Sequence, residues 1–173
     1  MKRFVFLFAA LLAMPVYAED TRIGQATEKN GMHIEAVYIQ PVFMEPEHGI
    51  KTGESDIHLE ADVAALKSNL HGFPEGGWIP YLGIGYRIEQ VGKGWATQGY
   101  LMPMVASDGP HYGDNVALNG PGKYTLIFTF SPPSVNGFMR HIDKETGVAP
   151  WWEKFDLHYE FTWIGSTGKK GGY

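Results

Sequence analysis

The chain has no cysteine among its 173 residues. That excludes disulfides, thiolate zinc sites, cysteine nucleophiles and cysteine-bound iron–sulfur clusters. Charge is sparse, at 19% of residues, and no basic run occurs; a formal net charge of −5 argues against nucleic acid as a partner. Long apolar runs are also lacking beyond the first residues, so no later segment reaches the roughly 20 residues needed to span a bilayer as a helix. The motifs GxSxG, HExxH and the EF-hand loop are absent. Gly165-Ser166-Thr167-Gly168-Lys169-Lys170 is not a P-loop, because the first glycine and the hydroxyl residue after the lysine are missing.

What is present is aromatic and turn-rich: 14% Phe, Trp and Tyr, with Gly 22 and Pro 11. The aromatics exclude a disordered chain, and the glycines and prolines exclude a coiled coil. Lys2 and Arg3 precede an apolar stretch over residues 4–12, followed by Met-Pro-Val-Tyr-Ala ending at Ala18. A basic start, a short apolar core and small residues at Val16 and Ala18 predict a secretory signal peptide, residues 1–18, cleaved after Ala18. The mature chain, residues 19–173, then forms one secreted domain, and loss of Lys2 and Arg3 moves its net charge from −5 to −7. A domain near this size buries about 70% of its unfolded surface, so a core alone suffices without disulfides.

Period-two alternation predicts strands over residues 32–43 (broken near Pro41), 56–63, 82–91, 97–105, 123–130 and 155–163. Turn signals separate them at 74–77, 108–110, 119–122 and 131–134. Residues 61–70 admit a helix but continue a strand pattern. Six or seven short strands with turns between them predict an all-β chain, a single immunoglobulin-like antiparallel β-sandwich. The tail from residue 165 is rich in Gly, Ser and Lys and reads as a frayed end.

Candidate chemistry begins at Ile57-His58-Leu59-Glu60-Ala61-Asp62-Val63. Strand alternation puts His58, Glu60 and Asp62 on one face, where an imidazole and a carboxylate two residues apart converge on one ion or simply face solvent. Met104 lies near a strand end and His111 just past a turn, so thioether and imidazole face each other across it, a soft pair suited to copper, or else a core methionine beside a turn histidine. Met44-Glu45-Pro46-Glu47-His48 mixes soft and hard donors in one loop. His141 alone reads as a surface histidine. His158 with Glu160, and His33 with Glu35, repeat the spacing but read as outward-facing polar residues, and His71 as a loop residue.

Together, Gln40-Pro41-Val42-Phe43-Met44-Glu45-Pro46, then Asp56-Ile57-His58-Leu59-Glu60-Ala61-Asp62, then residues 103–113 (PMVASDGPHYG) and a later His141 resemble the periplasmic iron-transport protein family. The resemblance runs in order along nearly the whole mature chain. It implies a sandwich that forms a homodimer with a copper site near the interface. Carried onto this chain, the metal ligands are His58, Glu60, Met104, His111 and His141. It also implies iron uptake beside an inner-membrane iron permease, and a second, weaker iron or manganese position for which Met44, Glu45, Asp62 and Asp108 are nearby candidates. Three imidazoles, a thioether and a carboxylate favour copper over other divalent ions, so affinity alone does not identify the cargo. Ligating histidines must be neutral, which predicts weaker binding below about pH 6.5.

Two other readings use the same residues. A copper-dependent redox enzyme acting on iron before transport requires turnover beyond one equivalent. A β-sandwich interaction module with incidental histidines requires that His58→Ala and Met104→Ala change nothing.

Overall fold

The computed structural model describes residues 20–166; the expected signal peptide and most of the tail lie outside them. The described chain is all-β: β1 (Thr21–Arg22), β2 (Thr27–Lys29), β3 (Met32–Ile39), β4 (Ile57–Ala65), β5 (Gly83–Gln90), β6 (Trp95–Ala106), β7 (Gly109–Val116), β8 (Gly122–Ser131) and β9 (Phe155–Trp163), with two short 3₁₀ turns at Thr52–Glu54 and Pro133–Asn136. All pairings are antiparallel, in the order β1-β3-β4-β7-β6-β5-β8-β9, with β2 also on β3.

The sheet curls on itself into a sandwich, and β6 makes the corner. Its first part, to Leu101, pairs with β5; from Met102 to Ala106 it pairs with β7 instead. A strand that changes partners along its length joins the two layers. The inner faces meet in one core of Met32, Ile34, Leu59, Ala61, Val63, Tyr112, Ile84, Ile88, Leu126, Phe128 and Phe130, each almost wholly buried. Each such large apolar side chain contributes about 1.5–3 kcal/mol on burial. Stacked pairs, Tyr124 on Phe161 at 5.4 Å and Phe130 on Phe155 at 5.3 Å, tie the aromatic rows of β8 and β9 together.

Alternation makes six of these strands where the sequence pattern puts them, with ends shifted. β3 stops at Ile39, and the stretch beyond Ala61 stays a strand to Ala65 before turning, with no helix. Three strands were not read from sequence: the short β1 and β2, and the longer β7. Gly, Pro, Asp and Asn are poor strand formers, and residues 108–110 read as a turn with nothing after it. The turn itself is the two-residue link Ser107-Asp108, since Ala106 pairs with Gly109. β7 forms because it is inserted between β4 and β6 and is buried from His111 to Val116, so pairing on both edges overrides local preference.

Candidate metal centre

The outward face of β4, β7 and the end of β6 carries the candidate site. Alternation on β4 puts Leu59, Ala61 and Val63 in the core and His58 and Glu60 on the opposite face. β7 adds His111, Gly113 and Asn115 to that face, because Gly113 is paired with Glu60 and Asn115 with His58. β6 adds Met102 opposite Gly113 and Met104 opposite His111. Residues 40–50 fold over this face, so it is not solvated: His58 is 1%, His111 7% and Glu60 8% exposed. Ligating atoms of His58, Glu60 and His111 all lie within 4.8 Å of one another. Glu60 Oε1 is 3.6 Å from His58 Nε2 and 3.9 Å from His111 Nε2.

Asn115 decides how His58 presents itself. Its Nδ2 donates to the Val42 carbonyl at 2.8 Å, and its Oδ1 accepts from the Val42 amide at 3.2 Å. Oδ1 is therefore the acceptor at 3.0 Å from His58 Nδ1, and Nδ1 carries the proton. That leaves a lone pair on Nε2, which is buried without a hydrogen-bond partner. An orphaned imidazole nitrogen fixed by a carboxamide behind it is the arrangement of a metal-ligating histidine. Burial holds the His58 pKa down at about 4, opposed by the Asn115 hydrogen bond and reinforced by His111, so His58 is neutral at pH 7.

Space for an ion is provided by Gly113. A methyl group built there would lie 2.5 Å from His58 Nε2 and 3.2 Å from Met104 Sδ. The glycine thus keeps open a small volume bordered by a lone-pair nitrogen and a thioether, with Glu60 and His111 beside it. The donor set of two imidazoles, one thioether and one carboxylate fits a transition metal of soft to borderline character.

The pattern of the family described as Fe2+ transport protein matches residues 17–165. The chain belongs to that family. It is 51% identical to a UPF0423 protein of Brucella abortus over 166 residues, 94% of this chain and 91% of that protein. Among solved structures it is similar to copper-reconstituted P19 of Campylobacter jejuni, with TM-score 0.82 and 48% identity over 87% of this chain and 99% of that one. FetP of a uropathogenic Escherichia coli strain is similar at TM-score 0.83 and 45% identity, covering 86% of this chain and 99% of that one.

In this Fe2+ transport family chain, four of the five expected ligands converge and the fifth does not. His141 lies in an exposed loop, its Nδ1 at 2.7 Å from Thr146 Oγ1 and 3.8 Å from Asp143. The candidates for a second position are divided between two cavities. Met44 and Glu45 line one of 560 Å³ with Met102, Met104, His48 and His58. Asp62 and Asp108 line another of 520 Å³ with Asp20, His33 and Glu35. Glu60 and His111 form part of the wall of both. His33 is not simply outward-facing: it bonds Glu35 at 3.1 Å, and Arg22 pairs with Glu35 at 3.3 Å. His158 and Glu160 are exposed, as alternation predicts. His71 is in a loop, stacked on Trp151 at 5.0 Å. Asn115 and Gly113 were the residues that sequence reasoning missed. Both become visible only once residues 109–116 are taken as a strand sharing His111's face.

Burial pushes the Glu60 pKa up to about 8, and the carboxylates of Asp62, Asp20 and Asp108 add to the shift. Burial also raises Asp62, countered by His111. A carboxyl whose folded pKa exceeds its unfolded value stabilises the fold at low pH, and that contribution is lost as pH rises from about 4.5 to about 8. The metal-free Glu60→Gln protein is therefore expected to melt higher than wild type at pH 8, with the gap closing towards pH 5. Thermal denaturation across that range checks it; a gap independent of pH would contradict it.

Proposed function

We propose that this chain is a periplasmic metal-binding protein that supports iron uptake, holding copper at His58, Glu60, Met104 and His111. The observation that carries the reading is the buried, unpartnered Nε2 of His58 facing the space that Gly113 leaves beside the Met104 thioether. Family membership supports the iron role, and the copper-reconstituted relative supports the metal. A copper ion in this position supplies a Lewis-acidic, redox-capable centre. The protein's part is to present His58 as a lone pair, to keep the site dry, and to set a carboxylate between the two imidazoles.

The reading extends to a homodimer in which His141 of the partner subunit completes the ligand set. His141 stands on an exposed loop between Met139, 89% exposed, and Ile142, 79% exposed, apolar residues that a second copy would cover. Iron is the cargo, passed to an inner-membrane permease. The signal-like N-terminus supports the periplasmic location, and among the described residues no helix is long and apolar enough to cross a membrane.

The test is metal titration of the mature protein, with copper and iron added separately, beside Met104→Ala and His111→Ala. The expected result is saturable copper binding near one equivalent per chain, with affinity falling in each variant by more than the roughly 10–100-fold that loss of an outer-shell partner costs. Binding that is absent, or unchanged in both variants, would overturn the site.

A further inference from the structure

The loop Met44-Glu45-Pro46-Glu47-His48 has no part in the ligand set, yet it forms a wall of the cavity that leads to it. That cavity, 560 Å³, is lined by Met44, Met102 and Met104, by His48 and the carboxylates of Glu45 and Glu47, and by His58, Glu60 and His111. Met102 is two residues from Met104 on the same face of β6 and opposite Gly113, so it stands directly beside the proposed ion position. It is 38% exposed and Met44 is half-buried, so neither is a core residue. The acidic cavity on the other side of Glu60 and His111 differs from this one in lacking thioethers. It is lined by Asp20, Glu35, Asp62 and Asp108 and, among the described residues, by no methionine.

We infer that Met44 and Met102 form an entry site for monovalent copper, which it occupies transiently before reaching His58 and Met104. Thioethers are soft, uncharged donors that bind Cu(I) and have little affinity for Cu(II) or Fe(II). Two of them on opposite sides of one cavity, one on a loop and one on a strand, capture a soft ion without offering the four or more donors that would retain it. His48 lines the same wall and supplies an imidazole to the same passage. The ion moves from thioether to thioether along one strand face, from Met102 to Met104, with no change of oxidation state. Hard divalent ions gain from the carboxylates that line both cavities, Glu45 and Glu47 in this one, but not from the thioethers, so methionine substitution leaves their route unchanged. The assignment rests on the proposed copper site and concerns how it is filled.

The experiment is the rate of copper loading into the metal-free mature protein, followed by stopped flow. Cu(I) is supplied anaerobically with ascorbate and Cu(II) in a parallel series. Wild type is compared with Met44→Leu, Met102→Leu and the double variant. Leucine conserves volume and apolarity, so the fold is expected to persist. Expected is Cu(I) loading slowed roughly tenfold in the double variant, the scale of loss when one group beside a metal site is removed. The final stoichiometry and the Cu(II) loading rate stay as in wild type. Equal Cu(I) rates in wild type and double variant would overturn the entry site alone. An equal slowing of Cu(I) and Cu(II) would do the same, since it would show a steric effect rather than soft-donor capture. Failure of wild type to retain copper would overturn the copper site and the entry site together.

Discussion

Gly113→Ala is expected to abolish copper binding while leaving the protein folded. The methyl group would sit 2.5 Å from His58 Nε2 and 3.2 Å from Met104 Sδ, in the space an ion shared by the two donors would need. The nearer neighbour does not yield easily: His58 is held behind by Asn115, which is itself pinned to Val42. The stability cost is limited for the same geometric reason. The methyl enters a space between ligands rather than the apolar core, and the His58 nitrogen it meets has no hydrogen bond to lose. Overpacking of this kind costs about 1–3 kcal/mol. Isothermal titration with copper, read beside thermal denaturation of the metal-free protein, separates the two effects. An alanine variant that binds copper as wild type does would show that the ion sits elsewhere.

The second large effect is a proton. At pH 7 Glu60, with its pKa near 8, is mostly protonated, whereas binding a cation requires the carboxylate. Copper binding at pH 7 is therefore expected to release close to one proton from Glu60. Affinity should rise about tenfold per pH unit from pH 6 towards 8 and level off above. The sign follows from competition: protons and metal contend for the same oxygen, and raising pH removes the protons. His58, neutral down to about pH 4, adds nothing to this slope. The pH dependence thus lies above the window near 6.5 that unperturbed imidazoles would set. Calorimetry at pH 7 in buffers of different ionisation enthalpy measures the released proton. Glu60→Gln should remove the Glu60 share of it, and an undiminished release in that variant would assign the proton to another group.

How much of this was legible in the sequence depended on which strand carried it. β4 alternates apolar and polar residues, so His58 and Glu60 were readable as a same-face pair, and β9 was readable throughout its length from its aromatic rhythm. The pairing of Met104 with His111 was readable because the Asp-Gly turn signal sits midway between them. β7 was not. Apart from Tyr112 and Val116 its residues are Gly, Pro, His, Asp and Asn, which suit what they leave open or bind rather than strand propensity. Its strand character comes from pairing on both edges, one of them with β4 more than 50 residues earlier in the chain, and with it were hidden Gly113 and Asn115. The burial of His58 was hidden for a related reason. Parity along β4 gives the face but not the loop that covers it, and that loop is anchored through Asn115. The confinement of the thioethers to one of two carboxylate-bearing cavities depends on how the chain crosses outside the sheet, which no periodicity records.

The hairpin of β6 and β7 has a consequence for the order in which the protein assembles. Met104 and His111 face each other across a two-residue link, so their approach closes a very short loop and carries little entropic cost. His58 reaches this pair only when β4 docks on β7, and the Asn115 that orients it is 57 residues away along the chain. Contacts at that separation form late in folding. The nascent chain therefore owns a soft two-donor clasp before it owns a site, and tight binding arrives only with the completed sheet. At the proposed copper site, metal held by the clasp alone would exchange freely and metal held after β4 docks would be kept, which would tie retention to completed folding.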